Sequence, residues 1–352
     1  MRLVSPLLKH VVYPGLSKAG YLRRAAGTGP TVLTYHGVLP AGCRIIDPGL
    51  DGNLVSSDLF RQQLRFVKDQ YNVIFPEEFL LWCEARHELP PRSVLLTCDD
   101  GLQNCLDMAL ILQEMDLLCL FFVTGASLLQ TPAMLWHEEL YLMFLAAADA
   151  FTLQVLGRDS SVTGRQQKRV LWCNLVRELS RFNMNERRTV MEDIRGQLHL
   201  SESWQLEFLE ESGSRRFLLL NAAEVRHLSV SGMSIGAHTV SHPWLPQCST
   251  EMAWHEISES RKALERELRQ EVWAMAYPFG SAGSVTSREI MLAKQAGFTC
   301  AFLNVEGTVT EADEFALPRV HVTGDMSLGE LEAHISGFHR AMKEALTGID
   351  AN

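Results

Sequence analysis

Two short stretches of the 352-residue sequence hold residue types at spacings that chemistry can use. Thr97-Cys98-Asp99-Asp100-Gly101 follows the apolar run Val94–Leu96. Two adjacent carboxylates at the C-terminal end of a buried strand are costly to desolvate unless something uses them. In α/β folds that edge is where sites are built. An Asp N-cap for a helix starting near Leu102 would explain one of the pair, not both. The second stretch, His238-Thr239-Val240-Ser241-His242, follows Met233–Ala237 and is the one His-x-x-x-His among 12 histidines. Four-residue spacing predicts both imidazoles on one side of a helical turn, where they can share a metal. With a carboxylate from another strand end the pair becomes a set of two histidines and one carboxylate, suited to catalytic zinc or a non-haem facial site.

Three weaker elements also fall at predicted strand ends. Tyr277-Pro278-Phe279-Gly280 is a turn that can aim a backbone N–H into a site, as an oxyanion donor requires. Thr34-Tyr35-His36-Gly37 and Leu317-Pro318-Arg319-Val320 offer a lone His and a lone Arg, residues that at strand ends are more often structural than catalytic. Gly232-Met233-Ser234-Ile235-Gly236 fits G-x-S-x-G, but a nucleophile elbow runs strand, turn, helix. Here helix Ala222–Ser229, capped by Asn221 and Glu224, comes first and a strand follows, so a serine hydrolase is rejected.

The elements that must position these residues alternate. Thr31–Tyr35, Val94–Thr97, Leu118–Val123, Met233–Ala237, Ala274–Tyr277 and Phe298–Leu303 are short apolar runs that predict buried parallel strands. Helical patterns at Ser57–Lys68, Leu102–Met115 and Glu251–Arg269 separate them, and Thr286 with Glu289 forms a capping box for a helix ended by Gly297. Strand alternating with helix predicts a parallel sheet or barrel. Residues 128–217 break the rhythm. Met134–Ala148, Arg165–Arg181, Asn185–Leu198 and Glu202–Glu211 predict helices, with Phe151–Leu156 the one strand, so the stretch is expected to be a helical insertion.

Composition excludes several classes. There are 32 Lys+Arg against 42 Asp+Glu, a net charge of −10, and 47% hydrophobic residues. That excludes a disordered or fibrous chain and argues against a nucleic-acid binder. No apolar run approaches the roughly 18 residues of a membrane-spanning helix. Eight scattered cysteines without C-x-x-C predict reduced thiols, and with no standard signal peptide the expected compartment is the cytoplasm. Arg2, Lys9, Lys18, Arg23, Arg24 and Arg44 precede the first acidic residue, Asp47. With Leu3, Val4, Leu7, Leu8, Val11, Val12, Leu16 and Tyr21 they suggest peripheral association with an anionic membrane, against the plainer expectation of a helix packed on the domain.

The five elements, in this order, resemble the polysaccharide deacetylase family (NodB homology domain, carbohydrate esterase family 4). The family's Thr-Phe-Asp-Asp-Gly stands here as Thr97-Cys98-Asp99-Asp100-Gly101, and its histidine element as His238-Thr239-Val240-Ser241-His242. The resemblance implies an α/β fold, a distorted (β/α)7 barrel, here at 29–127 and 218–340. The basic segment 1–28 precedes it, residues 128–217 interrupt it and the tail 341–352 follows. It further implies a metal-dependent hydrolase that removes N-acetyl groups from an N-acetylhexosamine-containing polysaccharide or its lipid-linked precursor.

Carried over residue by residue, Asp99 becomes the general base, and Asp100, His238 and His242 the metal ligands. Phe279 supplies the backbone oxyanion donor. Many members have an Arg where Ala276 stands, so Arg319 takes the role of orienting the base. The usual C-terminal acid histidine has no clear counterpart, and the chain is most similar to the permuted poly-N-acetylglucosamine deacetylase-like subgroup. An early Tyr-His element there supplies the acid, which points to His36, with His321 as the alternative. Zn2+ is the default metal, with Ni2+, Co2+ and Fe2+ compatible with the ligand set. An N-acetylated glycan is the expected partner. A deformylase or other amidase on a lipid-linked or nucleotide sugar, and a silent glycan-binding protein, are the competing readings. The intact quartet argues against the silent one. Trp136, His137, Glu138 and Glu139 are candidate glycan contacts, set against a plain amphipathic helix with Trp136 in its core.

Overall fold

The computed structural model describes residues 4–25, 29–85, 87–129, 133–210, 212–281 and 283–347. Every strand predicted for the barrel forms: Thr31–Tyr35, Ser93–Cys98, Leu120–Val123, Ser234–Ala237, Ala274–Ala276 and Cys300–Phe302. With Val320–His321 they make one parallel path, ordered from Cys300–Phe302 through 274–276, 234–237, 120–123, 93–98 and 31–35 to 320–321. An eighth strand, Asn72–Ile74, pairs with the first half of Ser93–Cys98. The sheet curls until its edges meet. Leu303 N donates to Leu317 O at 2.8 Å and Leu317 N to Ala301 O at 2.9 Å, shortly before the strand that pairs with Thr31–Tyr35. This is the distorted barrel that the resemblance implied.

Period-2 alternation divides the strand residues between two cores. Leu33, Tyr35, Val94, Leu96, Cys98, Phe121 and Val123 face outward onto the helices. Val32, Leu95, Leu120, Phe122, Ala274, Ala276 and Phe302 fill the barrel. The same parity carries on past the strand ends. Asp99, two residues beyond Thr97, therefore lies on the inner face, while Cys98 goes outward, its Sγ 3.7 Å from Cys105 Sγ. Gly236 leaves room inside: a Cβ there would come within 2.5 Å of the Phe122 ring.

Residues 128–217 build a separate apolar core. Trp136, Leu140, Phe144, Leu175, Leu179, Ile194 and Phe217 are buried together. The strand expected at Phe151–Leu156 forms as Ala150–Val155, and a second one that was not expected, Arg158–Thr163, pairs with it in an antiparallel hairpin. Leu156 and Gly157 both have positive φ, 53° and 74°, the conformation that a two-residue hairpin turn requires. Leu-Gly is a poor signal for that turn, and the polar return strand hid the pairing. The predicted helix at 202–211 shrinks to Leu206–Leu209.

The N-terminal segment packs on the domain. Tyr13 and Leu22 are buried against Ala333, with Leu8, Val12 and Leu16 beside them. Lys9 pairs with Asp325 at 2.8 Å and Glu330 at 3.2 Å, and Arg23 with Glu332 at 3.0 Å. Much of the proposed membrane face is thus spent on the barrel, while Leu7, Val11 and Tyr21 stay exposed. Residues 1–3 and 26–28, Arg2 and Leu3 among them, lie outside the described residues, as do 348–352 of the tail.

Candidate catalytic centre

Asp99 and Asp100 end the strand Ser93–Cys98 at the top of the barrel. Neither caps a helix: the next helix starts at Cys105, with Asn104 at the cap. Instead the chain turns sharply through Asp100 and Gly101, with φ 75° and 72°. Positive φ at a non-glycine residue costs on the order of 1–3 kcal/mol and persists where the surroundings impose it. A Cβ on Gly101 would already crowd Val123 at 3.1 Å.

The two carboxylates part company at once. Asp99 is buried and receives Arg319 with both oxygens, Nη1 to Oδ1 at 2.7 Å and Nη2 to Oδ2 at 2.6 Å. Arg319 is fixed in turn by Nε donating to Leu303 O at 2.8 Å and Nη1 to Thr97 Oγ1 at 3.2 Å. Its guanidinium lies above the rings of Phe122 and Phe302, at 5.4 and 5.8 Å. Burial alone would raise the Asp99 carboxyl, but Arg319 and His238 outweigh it and hold the group below the usual carboxylate range.

Asp100 turns to the histidines. Its Oδ1 is 3.5 Å from His238 Nε2 and 3.4 Å from His242 Nε2. The loop between the histidines is not the helical turn that the spacing suggested. Thr239 and His242 take positive φ, 62° and 53°, and this irregular loop brings the two rings to 4.8 Å. His238 Nδ1–H donates to Ala276 O at 2.7 Å, which leaves Nε2 aimed at Asp100. A second hydrogen bond on the far ring nitrogen is how metal-ligating histidines are oriented. Three ligand atoms of hard and borderline type thus converge within 4.8 Å, and the donor set fits a divalent ion. Burial tends to raise the Asp100 carboxyl, yet the two imidazoles carry it well below its ordinary value.

A second group, Glu306, His334 and His339, also clusters. Its imidazoles stack face to face at 4.0 Å, so their in-plane lone pairs run nearly parallel rather than converge. His339 Nδ1 is also held by the Tyr13 hydroxyl at 3.0 Å. That group reads as an ion pair that ties the N-terminal segment to the barrel.

Phe279 and Gly280 follow Ala274–Ala276 with φ 62° and 54°. Asn304 N donates to Gly280 O at 2.8 Å and locks the turn. No backbone acceptor for the Phe279 N–H occurs among the described residues, so the donor is available. His36 and His321 stack at 4.8 Å. His321 is held at both nitrogens: Asn304 donates to Nδ1 at 2.8 Å and Nε2 donates to Asn53 Oδ1 at 3.2 Å. Burial, then His36, push the His321 imidazole down to about 3. His36 Nδ1 has no partner. Sequence reasoning missed Asn53 and Asn304, which belong to no motif and reach the site only through the barrel's closure.

The helix candidates divide. Trp136 Nε1 donates to His242 O at 3.1 Å, with Arg187 over its ring at 4.3 Å. Glu138 receives Arg216 at 2.9 and 3.0 Å, and Arg216 also holds Asp51 at 2.8 Å. Glu139 accepts from Gln205 at 2.6 Å. These three serve packing and support. His137 instead reaches the histidine loop. The dismissed Ser234 opens a strand and donates to Glu77 Oε1 at 2.6 Å.

Residues 195–301, which include His238, His242 and the Phe279 turn, match the model of the polysaccharide deacetylase family. That segment carries a polysaccharide deacetylase domain. The expected activity class, carbohydrate N-deacetylase, follows from that domain. No curated protein matches the chain. Solved structures with a similar fold include the Streptococcus pyogenes deacetylase PplD, at 19% identity and TM-score 0.54 over 88% of this chain and 99% of that one. IcaB from Ammonifex degensii has 17% identity and TM-score 0.54 over 88% and 98%. A de-N-acetylase from Aggregatibacter actinomycetemcomitans has 14% and 0.53 over 87% and 99%. At these identities they establish the fold. The Asp99–Asp100 pair, His36 and Arg319 lie outside the matched segment, so their roles rest on geometry.

Proposed function

We propose that this deacetylase is metal-dependent and removes acetyl from an N-acetylhexosamine unit of a polysaccharide or its lipid-linked precursor, as a member of the permuted subgroup. The observation that carries the reading is the split of two adjacent carboxylates, Asp99 onto Arg319 and Asp100 onto the His238–His242 pair. Asp100, His238 and His242 would hold the ion, with Zn2+ as the first expectation. When bound, a divalent ion there polarises the amide carbonyl and makes water acidic enough to react near neutrality.

The chain's own groups do the rest. Asp99, kept ionised and oriented by Arg319, accepts the proton of the attacking water. The Phe279 N–H donates to the oxygen on which negative charge develops. His36, whose Nδ1 is unengaged, is the group to protonate the departing amine, whereas His321 is committed to Asn53 and Asn304. The products are acetate and a free amine on the sugar. Acetate release from N-acetylated oligosaccharides and lipid-linked sugars by metal-reconstituted protein tests the reading. Metal bound without acetate from any of them would defeat it.

The placement that goes with this reading is the cytoplasm, at an anionic membrane face. Exposed Leu7 and Val11, one helical turn apart, support it. Unchanged binding to anionic vesicles after Leu7→Glu with Val11→Glu would count against it.

A further inference from the structure

The insertion does more than cover the barrel. Its first helix, Trp136–Ala146, is fastened at its start to both the insertion and the histidine loop. Trp136 Nε1 donates to His242 O at 3.1 Å, and Trp172 Nε1 donates to His137 O at 2.6 Å. Arg187, from a second insertion helix, reaches Ser241 O at 3.4 Å and Ser241 Oγ at 3.3 Å. Ser241 is also held by Glu256, which accepts from its N at 2.7 Å and its Oγ at 2.5 Å. The position of His137 is thus fixed by contacts on either side of it.

Its ring lies 4.8 Å from His242, tilted by only 27°, and 5.5 Å from Phe279. Phe279 in turn sits 4.8 Å from His242 and 5.1 Å from Trp244. His137 is not itself among the clustered ligand atoms. The deacetylase reading sets the amide carbonyl against the Asp100–His238–His242 group and the Phe279 N–H, and the His137 ring contacts the rings of both His242 and Phe279. His137 is half-buried as a residue, and its Nδ1 is buried without a hydrogen-bond partner.

We propose that His137, supplied by the insertion, is one wall of the acyl-binding part of the centre and limits the size of the acyl group accepted. This rests on the deacetylase reading above. A ring held at that position would admit a methyl group and obstruct a longer chain. One methylene against such a wall discriminates by about 10- to 200-fold.

The test compares kcat/KM for N-acetyl-, N-propionyl- and N-butyryl-glucosamine oligomers in wild type, His137→Ala and His137→Phe, with metal content measured alongside. His137→Ala should raise the propionyl-to-acetyl ratio by at least about tenfold. His137→Phe, which keeps a ring, should hold the wild-type ratio and the metal. A uniform loss on all three acyl groups in His137→Ala, with the ratio unchanged, would overturn the wall and leave His137 as a prop for His242. Should wild type release no acyl group at all, the deacetylase reading fails. The wall is then judged by calorimetric binding of the same oligomers to metal-loaded protein, where His137→Ala must still narrow the preference for acetyl over butyryl.

Discussion

Arg319 meets Asp99 fork to fork, Nη1 on Oδ1 at 2.7 Å and Nη2 on Oδ2 at 2.6 Å, with both residues buried. The pair joins the end of the strand Ser93–Cys98 to the segment that closes the barrel. A planar guanidinium suits this better than an ammonium, because it supplies two parallel donors and stacks on Phe122 and Phe302.

Removal of either partner should therefore have different consequences. Asp99→Asn keeps a similar shape and should retain bound metal while kcat falls by about 100- to 10,000-fold, the range for loss of a positioned base. Arg319→Ala strands a buried carboxylate and should also cost about 3–5 kcal/mol of stability. Urea unfolding and acetate release, measured together, separate the two. Near-normal turnover in Asp99→Asn would remove it as the base.

Asp100→Ala, His238→Ala and His242→Ala should each lose metal and activity together, as read by elemental analysis and acetate release. The double variant His238→Ala/His242→Ala should hold no stoichiometric metal. If it does, the ion is elsewhere, and Glu306, His334 and His339 become the group to examine.

His36→Ala should lower kcat more than KM, because leaving-group protonation acts in the transition state. Substrates with a better leaving amine should suffer less. His321→Asn should weaken turnover less than His36→Ala. The reverse order would transfer the acid role to His321.

Stability should fall on acidification. Burial and nearby histidines push His321 down to about 3 and His339 down to about 4. The unfolded chain takes up these protons near pH 6.5, and the folded one does not. Stability is thus present above about pH 6.5 and lost as the pH drops below it, down to about 4 for His339 and 3 for His321. His339→Gln should flatten the slope of urea midpoint against pH between about 6.5 and about 4. Parallel profiles for wild type and variant would exclude His339 as a source.

By itself the sequence determined six of the eight barrel strands, missing Asn72–Ile74 and Val320–His321, together with the capped helices at Asn221 and Thr286 and the residues at the strand ends. Buried parallel strands read as apolar runs, and caps are local hydrogen bonds, so both leave a mark within a few residues. Which face Asp99 takes also follows from alternation alone. The tertiary structure decided what the neighbouring chain segments do to those residues. The loop from His238 to His242 is irregular because Val123, Ala276, Glu256 and the insertion hold it, and none of these is near it in sequence. The 150–163 hairpin, the Asn53–His321–Asn304 chain and the place of His137 against His242 depend on pairings across the chain rather than within one element. Such contacts are fixed by how the sheet closes and how the insertion docks, and periodicity carries no record of either.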